Sequence, residues 1–204
     1  SPQEVMDLGA VAHLTAIDQR MAFLHFFDGF RTSHEIQKIE ALDYEDLRPL
    51  VNMDSLKAFR KHALNPEHPA TRGTTVNPDI FFQCREACNT KVAAIPDAVE
   101  HYMNEIGKIT GRPHKLFDYY GAEDAERVII LMGSGAETAT EAVDFLLSKG
   151  EKIGMINVHL YRPFSPKHFF QALPKSVKKI AVLDRTKEPG AMGEPLYQDI
   201  CSIF

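Results

Sequence analysis

Apolar positions in the first twenty residues fall on one helical face. In SPQEVMDLGAVAHLTAIDQR, Val5, Leu8, Val11, Ala12 and Leu14 recur at spacings that line one side of a helix. Ser1 can cap that helix, Pro2 fits its first position, and Glu4 completes a capping box. The pattern then changes. MAFLHFF, residues 21–27, is an unbroken apolar run, which predicts a strand buried on both faces, as in a parallel sheet. Asp28-Gly29 ends it, Thr32 and Glu35 form a second capping box for a short helix, and IEAL (39–42) predicts another short strand.

Residues 43–64 are helical in pattern, as two short helices broken near Pro49 to Asn52. The stretch 65–78, with Pro66, Pro69, Gly73 and Pro78, reads as a linker or as a loop that wraps a neighbour. Asn77-Pro78 then starts a helix through about Cys88. Pro96 predicts the opening of a long amphipathic helix that buries Val99, Tyr102, Met103 and Ile106 and ends at Gly111. After residue 115 the rhythm alternates. Apolar runs at 127–133, 151–161 and 178–185 are separated by helical patterns at 136–150 and 165–174, and a third helix begins near Glu194. This alternation predicts an α/β fold, a parallel sheet with βαβ crossovers.

Composition narrows the function without naming it. The chain has 204 residues, 44% apolar and 25% charged, enough for one large domain or two small ones. A formal charge of −5 with no basic patch argues against nucleic acid as a partner. No apolar run reaches the roughly 20 residues of a spanning helix, so no membrane partner is expected. No export signal opens the chain, and both ends read like the interior of a longer protein. Cys84, Cys88 and Cys201 are odd in number, which favours reduced thiols in the cytoplasm. Cys84 and Cys88 share a helical face, but two thiolates do not complete a zinc or iron–sulfur site, so no metal is expected and the cysteines are read as buried or half-buried structural residues.

Four stretches hold candidate chemistry. GSGAET (133–138) follows a strand, yet Thr138 stands where a dinucleotide fingerprint needs its third glycine, and no acid ends the next strand. It reads as a tight turn, or as backbone amides able to hold an anion. DGFRTSHE (28–35) gathers Asp28, Arg31 and His34 just past an apolar run, where open α/β sheets bind ligands. Arg162, after the second strand, can clamp an anion or brace Glu188 or Asp184. LDRTKEPGAMGEP (183–195) places Asp184, Arg185 and Glu188 at the end of the third strand. No G-x-S-x-G elbow supports a hydrolase.

HFFDGFRTSHEIQKIE, NPEHPATRGTTVNPDIFFQ, KLFDYYGAEDAERVIILMGS, LYRPF and LDRTKEPGAMGEPLY together resemble the pyruvate:ferredoxin (flavodoxin) oxidoreductase, or pyruvate synthase, family. The segments cover nearly the whole chain in the family's order. The resemblance implies an enzyme that oxidatively decarboxylates pyruvate with coenzyme A to acetyl-CoA and CO2, reducing ferredoxin or flavodoxin. It implies thiamine diphosphate, Mg2+ and [4Fe-4S] clusters for the whole enzyme, none of them bound by this fragment alone. It also implies a homodimer, and it admits the hydrogenosome as an alternative compartment. Residues 1–40 would then be the end of the pyrimidine-binding thiamine domain, 41–114 a helical connection, and 115–204 a transketolase C-terminal-like domain. The family's catalytic glutamate and cluster cysteines match no position here, so no catalytic residue is assigned. Asp28, Arg31, His34, Arg162, Asp184, Arg185 and Glu188 become candidates for bracing or docking between domains. The other readings are a stand-alone nucleotide-binding module and part of a relative acting on another 2-oxoacid.

Overall fold

The structure, a computed structural model, describes residues 1–71, 73 and 75–204, without the side chain of Arg31. Helix α1, Pro2–Gln19, begins with the Ser1–Glu4 capping box that its sequence predicts. Short helices α2 (Arg31–His34), α3 (Tyr44–Leu47) and α4 (Met53–Arg60) follow, with a 3-10 turn at Arg48–Leu50 producing the expected break. Helix α5 spans Pro78–Glu86 and α6 spans Asn89–Thr110. Pro96 lies inside α6, not at its start. A proline there removes one intrahelical hydrogen bond. The burial of Ile95, Pro96, Val99 and Met103 on one face of α6 outweighs that loss.

The remainder is a four-stranded mixed sheet in the order β1-β3-β2-β4. Strands β2 (Arg127–Leu131), β3 (Ile153–Val158) and β4 (Lys179–Val182) run parallel, as their spacing predicts. Strand β1 (Phe117–Gly121) was not expected. It adds to the sheet edge antiparallel to β3, pairing Phe117 with Val158 and Gly121 with Gly154. Its polar and aromatic residues, FDYYG, do not form an apolar run because this edge strand is only partly covered.

Helices cover both faces. Val128 and Ile130 of β2 and Ile156 and Val158 of β3 join a core with Val11 and Leu14 of α1, Val99 and Ile106 of α6, Phe169 of α8 (Pro166–Ala172), and Leu196 and Ile200 of α9 (Pro195–Ile203). On the opposite face Leu131, Ile153 and Met155 meet Ala136 and Val143 of α7 (Gly135–Ser148). Alternate strand residues therefore point to two buried layers, which explains the continuous apolar runs.

Further expectations are overturned, among them the second capping box: α2 begins at Arg31 with Phe30 as its N-cap and no side-chain cap bond. Residues 21–27 form no strand, and neither do residues 39–42. An apolar run marks a segment that can be buried, but a strand also needs a neighbouring backbone, and no backbone hydrogen bond from 21–27 is found among the described residues. Leu24 is 85% exposed and Phe30 83%. The three cysteines are exposed thiols, not core residues: α5 and the turn to α6 present no buried face to Cys84 and Cys88, and Cys201 lies on the exposed side of α9 opposite Leu196 and Ile200.

Candidate functional site

The carboxyl ends of β2 and β3 are where the chain concentrates its polar contacts. The turn after β2 runs through Gly133, whose φ of 79° suits glycine, and into the first turn of α7. Such a turn exposes amide donors to an anion. Here the anion is internal: the Ser134 amide donates to Asp28 Oδ2 at 2.5 Å. A Cβ on residue 133 would sit 2.7 Å from that oxygen, so glycine is what lets the carboxylate approach. Arg185, on the loop after β4, reaches Asp28 Oδ1 at 2.6 Å and donates to Ser134 Oγ at 3.2 Å. Burial opposes ionisation of Asp28, but the Ser134 contacts and the Arg185 charge outweigh it and hold its carboxyl below the usual range. Asp28 and Arg185, far apart in sequence, thus close on one turn.

The other sequence candidates disperse. His34 is exposed, with Nδ1 2.8 Å from Ser33 Oγ and its ring stacked 5.1 Å from Phe30. The Arg31 side chain lies outside the described residues. Arg162 pairs with Asp199 of α9 at 2.5 Å and covers the Tyr161 ring, so it braces, but not to Glu188 or Asp184. Asp184 instead caps α9, accepting from the Leu196 and Tyr197 amides at 3.4 and 3.1 Å. Glu188 is exposed, and its backbone carbonyl accepts from Ala191.

A cavity of about 200 Å³ opens beside Asp28, between Leu24, Phe26, Met132, His159 and α1. Its polar wall is Glu4 and His159, 3.3 Å apart. A second cluster lies on the same helix. Asp7, fully buried, accepts from Arg112 Nε and Nη2 at 2.8 and 3.0 Å, and from Gln3 at 3.0 Å, with His114 Nε2 3.1 Å away. Burial opposes the charge on Asp7, and the hydrogen bonds from Arg112, His114 and Gln3 overcome it and lower its pKa. Arg112 also binds Glu40 at 2.5 Å. Sequence reasoning passed over Asp7 and His159. Asp7 carried a readable signal, since it shares the buried face of Val11 and Leu14, where an acid needs partners.

Ser165, His168 and Asp97 also meet. Ser165 Oγ lies 2.7 Å from His168 Nδ1, and His168 Nε2 lies 3.1 Å from Asp97. Ser165 stands at the N-terminus of α8 as predicted, but its hydroxyl turns to His168 and makes no cap bond. At 8% exposure Ser165 offers no substrate access, so the contact fastens α8 to α6 and is not a catalytic triad.

Comparison with known proteins gives consistent matches. Residues 1–104 match the family described as Pyruvate flavodoxin/ferredoxin oxidoreductase, thiamine diP-bdg, and residues 125–204 match Pyruvate:ferredoxin oxidoreductase core domain II. The chain is 62% identical to the pyruvate-flavodoxin oxidoreductase of Enterobacter agglomerans, over 100% of this chain and 17% of that protein. It is 58% identical to the pyruvate:ferredoxin oxidoreductase of Moorella thermoacetica, with the same coverage of 100% and 17%. The chain thus spans 17% of the length of these curated relatives. Among solved structures, the 2-oxoglutarate:ferredoxin oxidoreductase from Magnetococcus marinus with 2-oxoglutarate, coenzyme A and succinyl-CoA bound is 22% identical, with a TM-score of 0.36 over 57% of this chain and 18% of that one.

Proposed function

The chain belongs to the pyruvate flavodoxin/ferredoxin oxidoreductase family, and we propose that it is the scaffolding portion of an enzyme that decarboxylates pyruvate oxidatively, forms acetyl-CoA with coenzyme A and passes electrons to ferredoxin or flavodoxin. The carrying observation is the exposed apolar run from Leu24 to Phe30, beside a turn locked by Asp28 and Arg185. An apolar segment of that length left in water fits a surface made to be covered by further parts of the same polypeptide. Residues 1–40 are assigned to the end of the pyrimidine-binding thiamine domain, 41–114 to the connection, and 115–204 to a transketolase C-terminal-like domain. The mixed sheet with helices on both faces supports the last of these.

Asp28 already accepts from the Ser134 amide, so this turn does not present a free donor to an outside phosphate. Among the described residues no group of three or more His, Cys, Asp or Glu side chains could hold a metal ion. The same carboxylate counts against a stand-alone nucleotide-binding module. The role proposed for Arg162, Asp184 and Arg185 is bracing, and for Asp28 the closing of the turn. Glu188, His34 and Arg31 belong to the docking surface. Assembly as a homodimer is proposed with α5, whose Ile80, Phe81 and Phe82 are exposed, available to it. Cytoplasmic placement is proposed from the exposed thiols, and no helix among the described residues is long and apolar enough to cross a membrane.

The test is pyruvate- and coenzyme A-dependent reduction of a viologen dye. The full-length polypeptide should support it and the 204-residue chain alone should not. Turnover by the isolated chain would remove the scaffolding assignment, and a full-length protein that turns over another 2-oxoacid but not pyruvate would change the substrate.

A further inference from the structure

His159 stands just past the carboxyl end of β3 and faces the first turn of α1, and its hydrogen-bond partners fix its protons. Nδ1 lies 2.7 Å from the Lys115 carbonyl, which can only accept, so Nδ1 carries a proton. Nε2 lies 3.3 Å from Glu4 Oε1, a carboxylate that also accepts, so Nε2 carries one too. A doubly protonated ring has no lone pair left for the Asn157 amide nitrogen, 3.0 Å from Nε2. The Asn157 Oδ1 atom is meanwhile buried with no partner among the described residues. Turning the amide end for end, an isosteric change, lets Oδ1 accept from Nε2.

We propose that His159 is a proton-operated latch, an imidazolium that holds the first turn of α1 to the end of β3 and releases it when deprotonated. The latch joins the two family-matched segments, since Glu4 lies within 1–104 and His159 within 125–204. The charged groups around it are known for each packed element. From α1 come Glu4 and Asp7. The segment before β1 supplies His114, its ring centroid 6.0 Å from that of His159, and Arg112 on Asp7. Asp118 of β1 adds a favourable charge. Asp28 lines the same cavity. Carboxylates predominate at the ring itself, which favours the charged form. Burial opposes charging of His159, and the bonds to Glu4 and Lys115 overcome it and raise its pKa above the ordinary 6.5. Glu4 is held at about 2, chiefly by the His159 bond.

The signs set the working range. A raised histidine stabilises fully below 6.5 and loses that contribution as pH rises through its folded value, while Glu4 contributes fully above 4.5. The latch is therefore tightest between 4.5 and 6.5. The test uses the full-length enzyme, with imidazole C2 hydrogen–deuterium exchange read peptide by peptide across pH. His159 should titrate above 6.5, and Glu4→Gln should lower its midpoint by about one pH unit. Backbone amides of residues 3–8 should lose protection above that midpoint, and in His159→Gln that pH dependence should vanish. A His159 midpoint at or below 6.5 in the unaltered enzyme would overturn the latch, as would a midpoint indifferent to Glu4→Gln.

Discussion

Helix α1 and the eleven residues after it are neighbours in sequence and opposites in setting. The helix buries a carboxylate completely, at Asp7. The following segment leaves Leu24 and Phe30 more than four-fifths exposed, at 85% and 83%. Burying an unpaired charge costs far more than exposing a leucine. Asp7 is tolerated because Arg112, His114 and Gln3 surround it, so its partners lie within the chain. The apolar run makes little of such contact: Phe30 stacks on the exposed His34 ring, and the rest shares a cavity wall with α1 and the β2 turn. A satisfied buried charge marks an interface already made. An exposed apolar run marks one still to be made.

The sharpest way to break the first half of that comparison is Asp7→Ala. It leaves a buried histidine and the Arg112 fork without their acceptor. The expected loss is about 3 kcal/mol or more in chemical denaturation of the chain. Asp7→Asn keeps one acceptor oxygen and should recover part of it. A loss under about 1 kcal/mol would mean that Arg112 and His114 find other partners. Acid should attack the same interface. Glu4 and Asp7 both have lowered folded pKa values, so their contribution is complete above their ordinary values of 4.5 and 3.8 and falls away as pH drops. For Glu4 the loss runs from 4.5 down to about 2. Unfolding free energy measured from pH 6 to pH 3 should decline along that path, and less steeply in Glu4→Gln.

Sequence pattern recovered what depends on local spacing. The α1 capping box, the break near Pro49, and the alternation of β2, α7, β3, α8 and β4 are all set by nearby residues. It failed where a distant partner decides. Residues 21–27 have the composition of a buried strand but no adjoining backbone among the described residues, and β1 is a strand because β3 offers an edge, not because FDYYG is apolar. The site divides the same way. Arg185 was readable as a brace, but its partner Asp28 stands 157 positions earlier, and spacing alone cannot pair them. Asp184 was legible as a loop acid, yet its use as the cap of α9 depends on how the glycine-containing loop returns. His159 gave no signal, because its role comes from Glu4 and the Lys115 carbonyl converging from two other elements.

Arg185→Ala tests a contact between the two settings, where the apolar run is pinned to the β2 turn. Arg185 is 57% exposed, so the ion pair is solvent-screened, and Asp28 keeps the Ser134 amide. The chain itself should lose less than about 1 kcal/mol. In the full-length enzyme the variant should reduce assembly, read by sedimentation, more than thiamine diphosphate affinity. A normally assembled variant with lost thiamine affinity would move Arg185 from bracing to cofactor binding.

Leu24→Ser with Phe30→Ser should have the smallest effect on the chain and the most telling contrast. Both side chains lie in water, so removing them changes the stability of the 204-residue chain by no more than about 0.5 kcal/mol. In the full-length enzyme the same pair should cut the yield of assembled protein severalfold, because the apolar area meant to be covered is gone. Denaturation of the chain and sedimentation of the full-length protein separate the two. If the double variant destabilises the chain as much as Asp7→Ala does, the run is part of the chain's own core. If it leaves both chain and assembly untouched, the run is not a docking surface, and the contrast with α1 reduces to a difference in exposure.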